Sequence, residues 1–462
     1  MIPYAFAKAH SVLPAAERDG RLVLWVTSAT PPAAIGELRR SLGRDIQPEV
    51  VEQKAFDAAL HAAYSEQRGA AANVVDELQG EAELSRLMED LPEVEDLLEA
   101  RHDAPIIRML NALLSQAVAE GASDVHVEPF EASSVVRYRV DGVLRDIVRP
   151  RRGLHPALVS RIKIMANLDI AEKRLPQDGR IMLRLGGRPI DVRVSTLPTG
   201  HGERVVMRLL DKERSRLEPE SLGMSAQMLG AFDKLVNQPH GIVLVTGPTG
   251  SGKTTTLYAM LSRLDAGSTN IMTVEDPIEY DLPGIGQTQV NPRIEMTFAR
   301  ALRAILRQDP DVIMIGEIRD QETAQIAVQA SLTGHLVLAT LHTNDSISAV
   351  TRLLDMGIEP FLLSSSILGI LAQRLVRKLC PDCRGSGCPK CLQTGYLGRT
   401  GIYELLQIDE SMRTAIHERA SEQRLIELAL ARGFRRLAED GKRWVDGGIT
   451  SEEELLRVTR ER

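Results

Sequence analysis

Gly247-Pro-Thr-Gly-Ser-Gly-Lys-Thr254 decides how the rest of the chain is understood. It fits G-x-x-x-x-G-K-[ST], the pattern of a loop that cradles nucleotide phosphates. The preceding run, Gly241-Ile-Val-Leu-Val-Thr246, is short, β-branched and apolar, and predicts a strand buried on both faces. The following run, Thr255-Thr256-Leu257-Tyr258-Ala259-Met260-Leu261, predicts a helix. Strand, loop and helix are the context the motif needs. Gly247, Gly250 and Gly252 let the backbone turn so that its N–H groups converge on phosphate oxygens. The helix N-terminus adds a favourable dipole. Lys253 supplies a charge to the β and γ phosphates, and Thr254 offers a hydroxyl to Mg²⁺. Pro248, Thr249, Ser251 and Thr255 complete the candidate nucleotide-binding set.

A chain of 462 residues is too long for one core, so several domains are expected. The net charge of −7 argues against a duplex-DNA clamp, and 3% aromatic residues leave few stacking platforms for single strands. No nucleic acid is therefore expected as a partner. The start, Met1-Ile-Pro-Tyr-Ala-Phe6, lacks a secretory pattern. The most apolar span, Phe361 to Ala372, is far below the roughly 20 residues a membrane helix needs. A cytoplasmic chain is expected, meeting a membrane only through a partner.

Six segments are expected. Residues 1–64 predict a small mixed domain, with a strand at Arg21–Val26, a helix after Pro31-Pro32, and Phe56, Leu60 and Tyr64 at helical spacing. Residues 65–102 form a linker and an acidic amphipathic segment; Leu84, Leu87, Met88, Leu91, Val94 and Leu98 mark its stripe. That stripe suits a packed, solvated helix or a partner-binding one. Residues 103–215 predict an α+β domain. It opens on a helix capped by Asp103, has hairpins at Asp141-Gly142 and Gly186-Gly187, and ends on a strand at Glu203–Leu210. Its arginines, Arg193 and Arg208 among them, are exposed or acid-paired unless one reaches a nucleotide from outside the phosphate-loop domain. Residues 216–379 form the nucleotide core, 380–400 a cysteine knuckle and 401–462 a helical cap.

Within the core, Asn270-Ile-Met-Thr-Val-Glu-Asp-Pro-Ile-Glu279 is a β-rich run ending in Glu275 and Asp276, with Glu279 just beyond. Asp311-Val-Ile-Met-Ile-Gly-Glu317 is a second strand ending in an acid. Each acid alone could cap a strand. Two such units after a phosphate loop favour catalysis, because ligands gather at the carboxyl ends of strands in α/β sheets. Glu317 could polarise the hydrolytic water. A further strand carries His335 and His342 at its two ends, and His342 at the carboxyl end suits a phosphate sensor.

Taken together, Leu175-Pro-Gln-Asp-Gly-Arg180, Gly200-His-Gly-Glu-Arg204, the phosphate loop, Glu275-Asp-Pro-Ile-Glu279, Gly316-Glu-Ile-Arg-Asp320, Thr333-Gly-His335 and Leu341-His-Thr343 resemble the ATPases of type II secretion and type IV pilus assembly. The N-terminal region looks more like the type II secretion (GspE-like) branch. The resemblance implies a multidomain α/β and α+β chain, with a RecA-like P-loop ATPase core after a PAS-like arginine-rich domain. It implies a hexamer that hydrolyses ATP with Mg²⁺ to drive pseudopilus assembly and protein export. It also implies docking of the N-terminal region onto the cytoplasmic domain of an inner-membrane secretion-platform protein. Glu275, Asp276 and Glu279 match the family's Asp box, Glu317 its Walker B glutamate, and His335 with His342 its His box. Arg193 and Arg208 match the arginines that reach the nucleotide. The rivals are a pilus motor with the same chemistry, a DNA-translocating motor and a non-hydrolysing nucleotide-gated scaffold, against which the intact Lys253 and Glu317 speak.

Cys380-Pro-Asp-Cys383 and Cys388-Pro-Lys-Cys391 give C-x₂-C-x₄-C-x₂-C. Two close pairs in a cytosolic chain suit a tetrahedral structural Zn²⁺ with no open position. The family's insert between the pairs is usually much longer. The last residues, 409–462, have helical periodicity with glycine stops.

Overall fold

The computed structural model describes residues 7, 10–18, 21–42, 45–53, 55–56, 59–60, 105–185, 188–211 and 218–460. The acidic stripe of 74–100, Asp103, Tyr64 and the Gly186-Gly187 turn lie outside them. The chain divides into two units, Met1–Lys212 and Glu213–Arg462.

The first unit begins with three strands, β1 (Val12–Arg18), β2 (Arg21–Val26) and β3 (Ile46–Val50). β2 pairs antiparallel with β1 and parallel with β3, with helix α1 (Pro32–Leu42) as the crossover. Leu24, Val26, Leu38, Ile46 and Phe56 form its core. β1 and β3 each contain a proline, and the β1 register shifts at Pro14. Prolines are confined to edges and bulges in sheets, so neither run announces itself as a strand.

A six-stranded antiparallel sheet follows. Its strands are β4 (Asp124–Pro129), β5 (Ser134–Val140), β6 (Val143–Val148), β7 (Gln177–Leu185), β8 (Arg188–Thr199) and β9 (Gly202–Asp211). Their order across the sheet is β6-β5-β4-β9-β8-β7. Asp141 and Gly142, with φ of 49° and 84°, make the tight turn between β5 and β6, as their sequence predicts. Alternation divides the sheet into two faces. Val125, Val127, Val136, Tyr138, Val192, Val205 and Met207 pack with helices α2 (Pro105–Ala119) and α3 (His155–Met165). Tyr138 Oη donates to the Leu113 carbonyl at 2.5 Å, fixing α2 against the sheet. The opposite face carries a row in direct register: Arg139, Asp124, Arg208, Arg193 and Arg180.

The second unit is built on a seven-stranded sheet. Its strands are β10 (Gly241–Thr246), β11 (Ile271–Glu275), β12 (Gly286–Gln289), β13 (Val312–Ile315), β14 (Leu336–Leu341), β15 (Ile367–Leu379) and β16 (Tyr396–Gln407). Their order is β12-β11-β13-β14-β10-β15-β16. All neighbours are parallel except β15 and β16. β10 and β14 are buried along their whole length, which explains their unbroken apolar sequences. The core helices are α4 (Ala226–Val236), α5 (Lys253–Leu261), α6 (Phe298–Ile305), α7 (Gln321–Leu332) and α8 (Ser346–Asp355). Apolar layers cover both faces of the sheet. Leu302, Ile305, Ala327 and Val350 pack on one; Phe232, Leu257, Met260 and Tyr403 pack on the other. The apolar span at 361–372 splits into helix α9 (Pro360–Ser366) and the first half of β15. Among the described residues no helix is long and apolar enough to cross a membrane. Four short helices end the chain: α10 (Glu410–His417), α11 (Glu422–Leu430), α12 (Leu437–Asp446) and α13 (Glu452–Thr459).

Candidate nucleotide site

The carboxyl ends of β10, β14, β13 and β11 bring the site together. β10 delivers the chain into the loop, and α5 starts at Lys253. Gly247, Gly250 and Gly252 all have positive φ, at 149°, 79° and 89°. Space adds to conformation: a Cβ on Gly247 would stand 2.5 Å from the Gln373 carbonyl oxygen, and one on Gly252 2.8 Å from Gln373 Nε2. Only glycine fits a loop pressed this closely onto β15. Pro248, Thr249 and Gly250 are exposed at the tip, Ser251 is buried, and Thr254 and Thr255 are half-buried in the first turn of α5. Lys253 Nζ donates to the carbonyls of Gly247 at 2.8 Å and Pro248 at 3.2 Å. Burial, more than the nearby Arg374 charge, pulls its pKa down to about 8, against the pull of Glu317. The base of the loop is tied to the neighbouring strand. Thr246 Oγ1 and Thr343 Oγ1 lie 2.6 Å apart, and the Thr343 N–H donates to Thr246 Oγ1 at 3.0 Å.

Glu317 follows β13 through Gly316. A Cβ on Gly316 would meet the Val274 carbonyl oxygen at 3.2 Å, so glycine lets β11 and β13 approach where their acids emerge. Glu317 Oε1 lies 2.9 Å from His342 Nε2, and its Oε2 lies 2.7 Å from Arg319 Nη2. Arg319 Nη1 also reaches Asp276 Oδ2 at 3.4 Å. His342 titrates below its usual range, through burial first and then the Lys253 charge, while Glu317 opposes the shift. A neutral His342 hydrogen-bonded beside Glu317 can orient water and respond to a phosphate. Arg319 is the site residue that sequence reasoning leaves without a role; its one signal is its place two residues after Glu317.

Five predicted members are placed differently: Glu275, Glu279, His335, Arg193 and Arg208. Glu275 is buried, 2% exposed, and is held by Tyr258 Oη, Thr273 Oγ1 and, at 3.1 Å, Gln287 Nε2. That makes it an internal anchor for the end of β11. Glu279 lies further along the same turn, its N–H donating to Tyr258 Oη at 3.4 Å. His335 is not brought to the loop. It precedes β14 at the amino end, where Leu336 pairs with Gly241, while His342 follows the other end. The six residues between them span about 20 Å. Its Nδ1 lies 2.9 Å from the Ala330 carbonyl oxygen, at the end of α7. The strand expected between the two histidines is present; it simply runs away from the site at the His335 end. Arg193 and Arg208 belong to the other unit. Arg208 Nε pairs with Asp124 Oδ1 at 2.9 Å and remains about half exposed.

The four cysteines form a separate centre. Their sulfurs lie within 4.8 Å of one another, with Cys380–Cys388, Cys383–Cys391 and Cys388–Cys391 contacts of 3.8, 3.7 and 3.7 Å. A tetrahedron of thiolates with Zn–S near 2.3 Å has edges of about 3.8 Å. The Cys388 and Gly395 N–H groups both donate to Cys391 Sγ at 3.2 Å. Burial pushes this thiol up, yet those donors and the neighbouring thiols outweigh it and hold it at about 6. The residues therefore fit a structural zinc.

A mostly parallel sheet with the P-loop after an interior strand, and acids and a histidine converging beside it, defines a P-loop ATPase of the RecA-like class, preceded here by a PAS-like α+β domain. The chain belongs to the family described as Type II/IV secretion system protein, whose model matches residues 99–457. A second model, for an N-terminal domain of GSPII protein E, matches residues 1–64. The type II secretion system protein HxcR of Pseudomonas aeruginosa is 64% identical, over 100% of this chain and 99% of that protein. The type II secretion system ATPase E of Vibrio cholerae is 53% identical, over 100% and 97%. A crystal structure of the pilus retraction motor PilT with bound ADP shares 28% identity and a TM-score of 0.56, over 76% of this chain and 96% of that one.

Proposed function

We propose that this chain is the ATP-hydrolysing motor of a type II secretion system, working as a homo-hexamer to drive pseudopilus assembly and protein export. The observation that carries it is the meeting of Lys253 and its loop with Glu317, His342, Asp276 and Arg319 at the carboxyl ends of the sheet's strands. The loop amides and Lys253 hold the phosphates, and Thr254 and the acids are the residues that would hold Mg²⁺. Glu317 polarises the attacking water, and His342 reports the phosphate state. Catalysis is then mainly positioning and electrostatics. Glu275 and Glu279 shape this end from the β11 turn. His335 lies at the far end of its strand from the loop of its own chain. Arg193 and Arg208 supply positive charge to the nucleotide from the preceding domain. Zn²⁺ on Cys380, Cys383, Cys388 and Cys391 stabilises the knuckle.

The domain limits in this proposal are 1–64, 65–102, 103–215, 216–379, 380–400 and 401–462. The first docks onto the cytoplasmic domain of an inner-membrane secretion-platform protein, which keeps a cytoplasmic motor at the membrane. The full-length identity to type II secretion relatives supports this partner over that of a pilus motor. The test is the steady-state ATPase rate against protein concentration, with and without that partner domain, beside a Glu317→Gln control. A rate per chain that climbs with concentration and partner supports an assembly-activated motor. A flat rate indifferent to the partner sinks it.

A further inference from the structure

The strand after α9 delivers a cation to the nucleotide side of the sheet. β15 runs parallel to β10 with Ala372 opposite Thr246, so Gln373 and Arg374 stand level with the start of the phosphate loop. Gln373 supports the loop directly: its carbonyl oxygen packs against Gly247, and its Oε1 accepts from Thr256 Oγ1 at 2.8 Å. Arg374, the next residue, turns to the opposite face of the strand. Its Nη2 donates to Asn344 O at 2.8 Å and Oδ1 at 3.3 Å, and its Nη1 to the Gln373 carbonyl at 3.1 Å. Asn344 is two residues beyond His342 and next to Thr343, which is clamped to the base of the loop.

Arg374 is half-buried, yet among the described residues its hydrogen-bond partners are all neutral oxygens. Asp345 and Glu404 act on it only through space. Its charge also weighs on Lys253, so two cations share one region of the site. Desolvating a guanidinium without a carboxylate is costly, and placing it near a second cation adds to the cost. A polyanion in the loop would remove both penalties.

We infer that Arg374 contacts the terminal phosphate of the nucleotide from within the same chain, and makes the site prefer the triphosphate over the diphosphate. The inference rests on the nucleotide-binding reading above. Its test is the affinity of the full chain for ADP and for a non-hydrolysable ATP analogue, in the wild type, Arg374→Gln and Arg374→Lys. Glutamine keeps a donor for the Asn344 carbonyl but no charge; lysine keeps the charge. Loss of a charge-assisted contact should weaken the ATP analogue about tenfold to a hundredfold in Arg374→Gln, with ADP changed less than about twofold. Arg374→Lys should fall between. Equal weakening of both nucleotides, or of neither, overturns the inference. A wild-type chain that binds neither nucleotide would instead overturn the nucleotide reading beneath it.

Discussion

Glu317 stands between His342, the Arg319 guanidinium and the field of Lys253. Replacing it with glutamine preserves shape and the arginine contact but removes the base. Turnover should fall by about a hundred- to ten-thousandfold, while ATP binding by equilibrium titration changes little. A variant that still turns over would move the base to Asp276 or Glu279. Lys253 gives a second expectation, in pH. Its pKa of about 8 describes a lysine facing carbonyls and another cation. Phosphate favours the charged form, so bound Lys253 titrates higher. Affinity is therefore full below pH 8 and declines as pH rises through it, and binding above that point takes up a proton. Calorimetry at pH 8.5 in buffers of different ionisation enthalpy reads this uptake; zero uptake would show that Lys253 is already fully charged.

At the scale of elements, the ATPase core and the C-terminal helices are joined by buried acids. Glu404 on β16 accepts from Ser346 N at 2.7 Å, Ser346 Oγ at 2.8 Å and Leu437 N at 3.1 Å, linking the starts of α8 and α12. Burial raises its pKa despite those donors. Glu404→Ala strands the donors and should cost about 2–4 kcal/mol in denaturant unfolding, with Glu404→Gln costing less; a change within experimental error would mean that water replaces the carboxylate. The knuckle gives a parallel test: purified chain should carry about one zinc by elemental analysis, and Cys391→Ser should lose it. Zinc retained in that variant would leave Cys391 out of the ligand set. These joints also show what the sequence could reveal. β10, β13 and β14 are legible because strands buried on both faces are apolar throughout. β15 and β16 are not, because Gln373, Arg374 and Glu404 interrupt them with polar groups whose partners lie far along the chain. Gln373 meets Thr256 across 117 residues, Glu404 meets Ser346 across 58, and Arg374 meets Asn344 across 30. His335 is legible as a motif but not as a position, since which end of a strand meets the site depends on chain direction in the sheet.

At the scale of the whole molecule, the proposed role of Arg193 and Arg208 at the nucleotide can be tested directly. Asp124 already pairs with Arg139 at 3.7 Å and Arg208 at 2.9 Å, and Asp191 with Arg180, so buried acids pin these half-exposed guanidinium groups. Held this way, they lose less rotamer entropy on meeting phosphate. Whether that phosphate belongs to the same chain or to a neighbour is decided by mixing. Lys253→Ala lacks the loop charge, and the double variant Arg193→Ala with Arg208→Ala lacks the arginines; each alone should be nearly inactive. If the arginines act within their own chain, every chain in a mixture still lacks one half, and activity stays absent at all ratios. If they act across a cyclic interface, an equal random mixture leaves about a quarter of the interfaces with both halves intact. ATPase activity should then return on mixing, peak near equal proportions and vanish on dilution. A mixture that is flat at every ratio would confine the arginines to their own chain, and the climb of rate with concentration would need another cause.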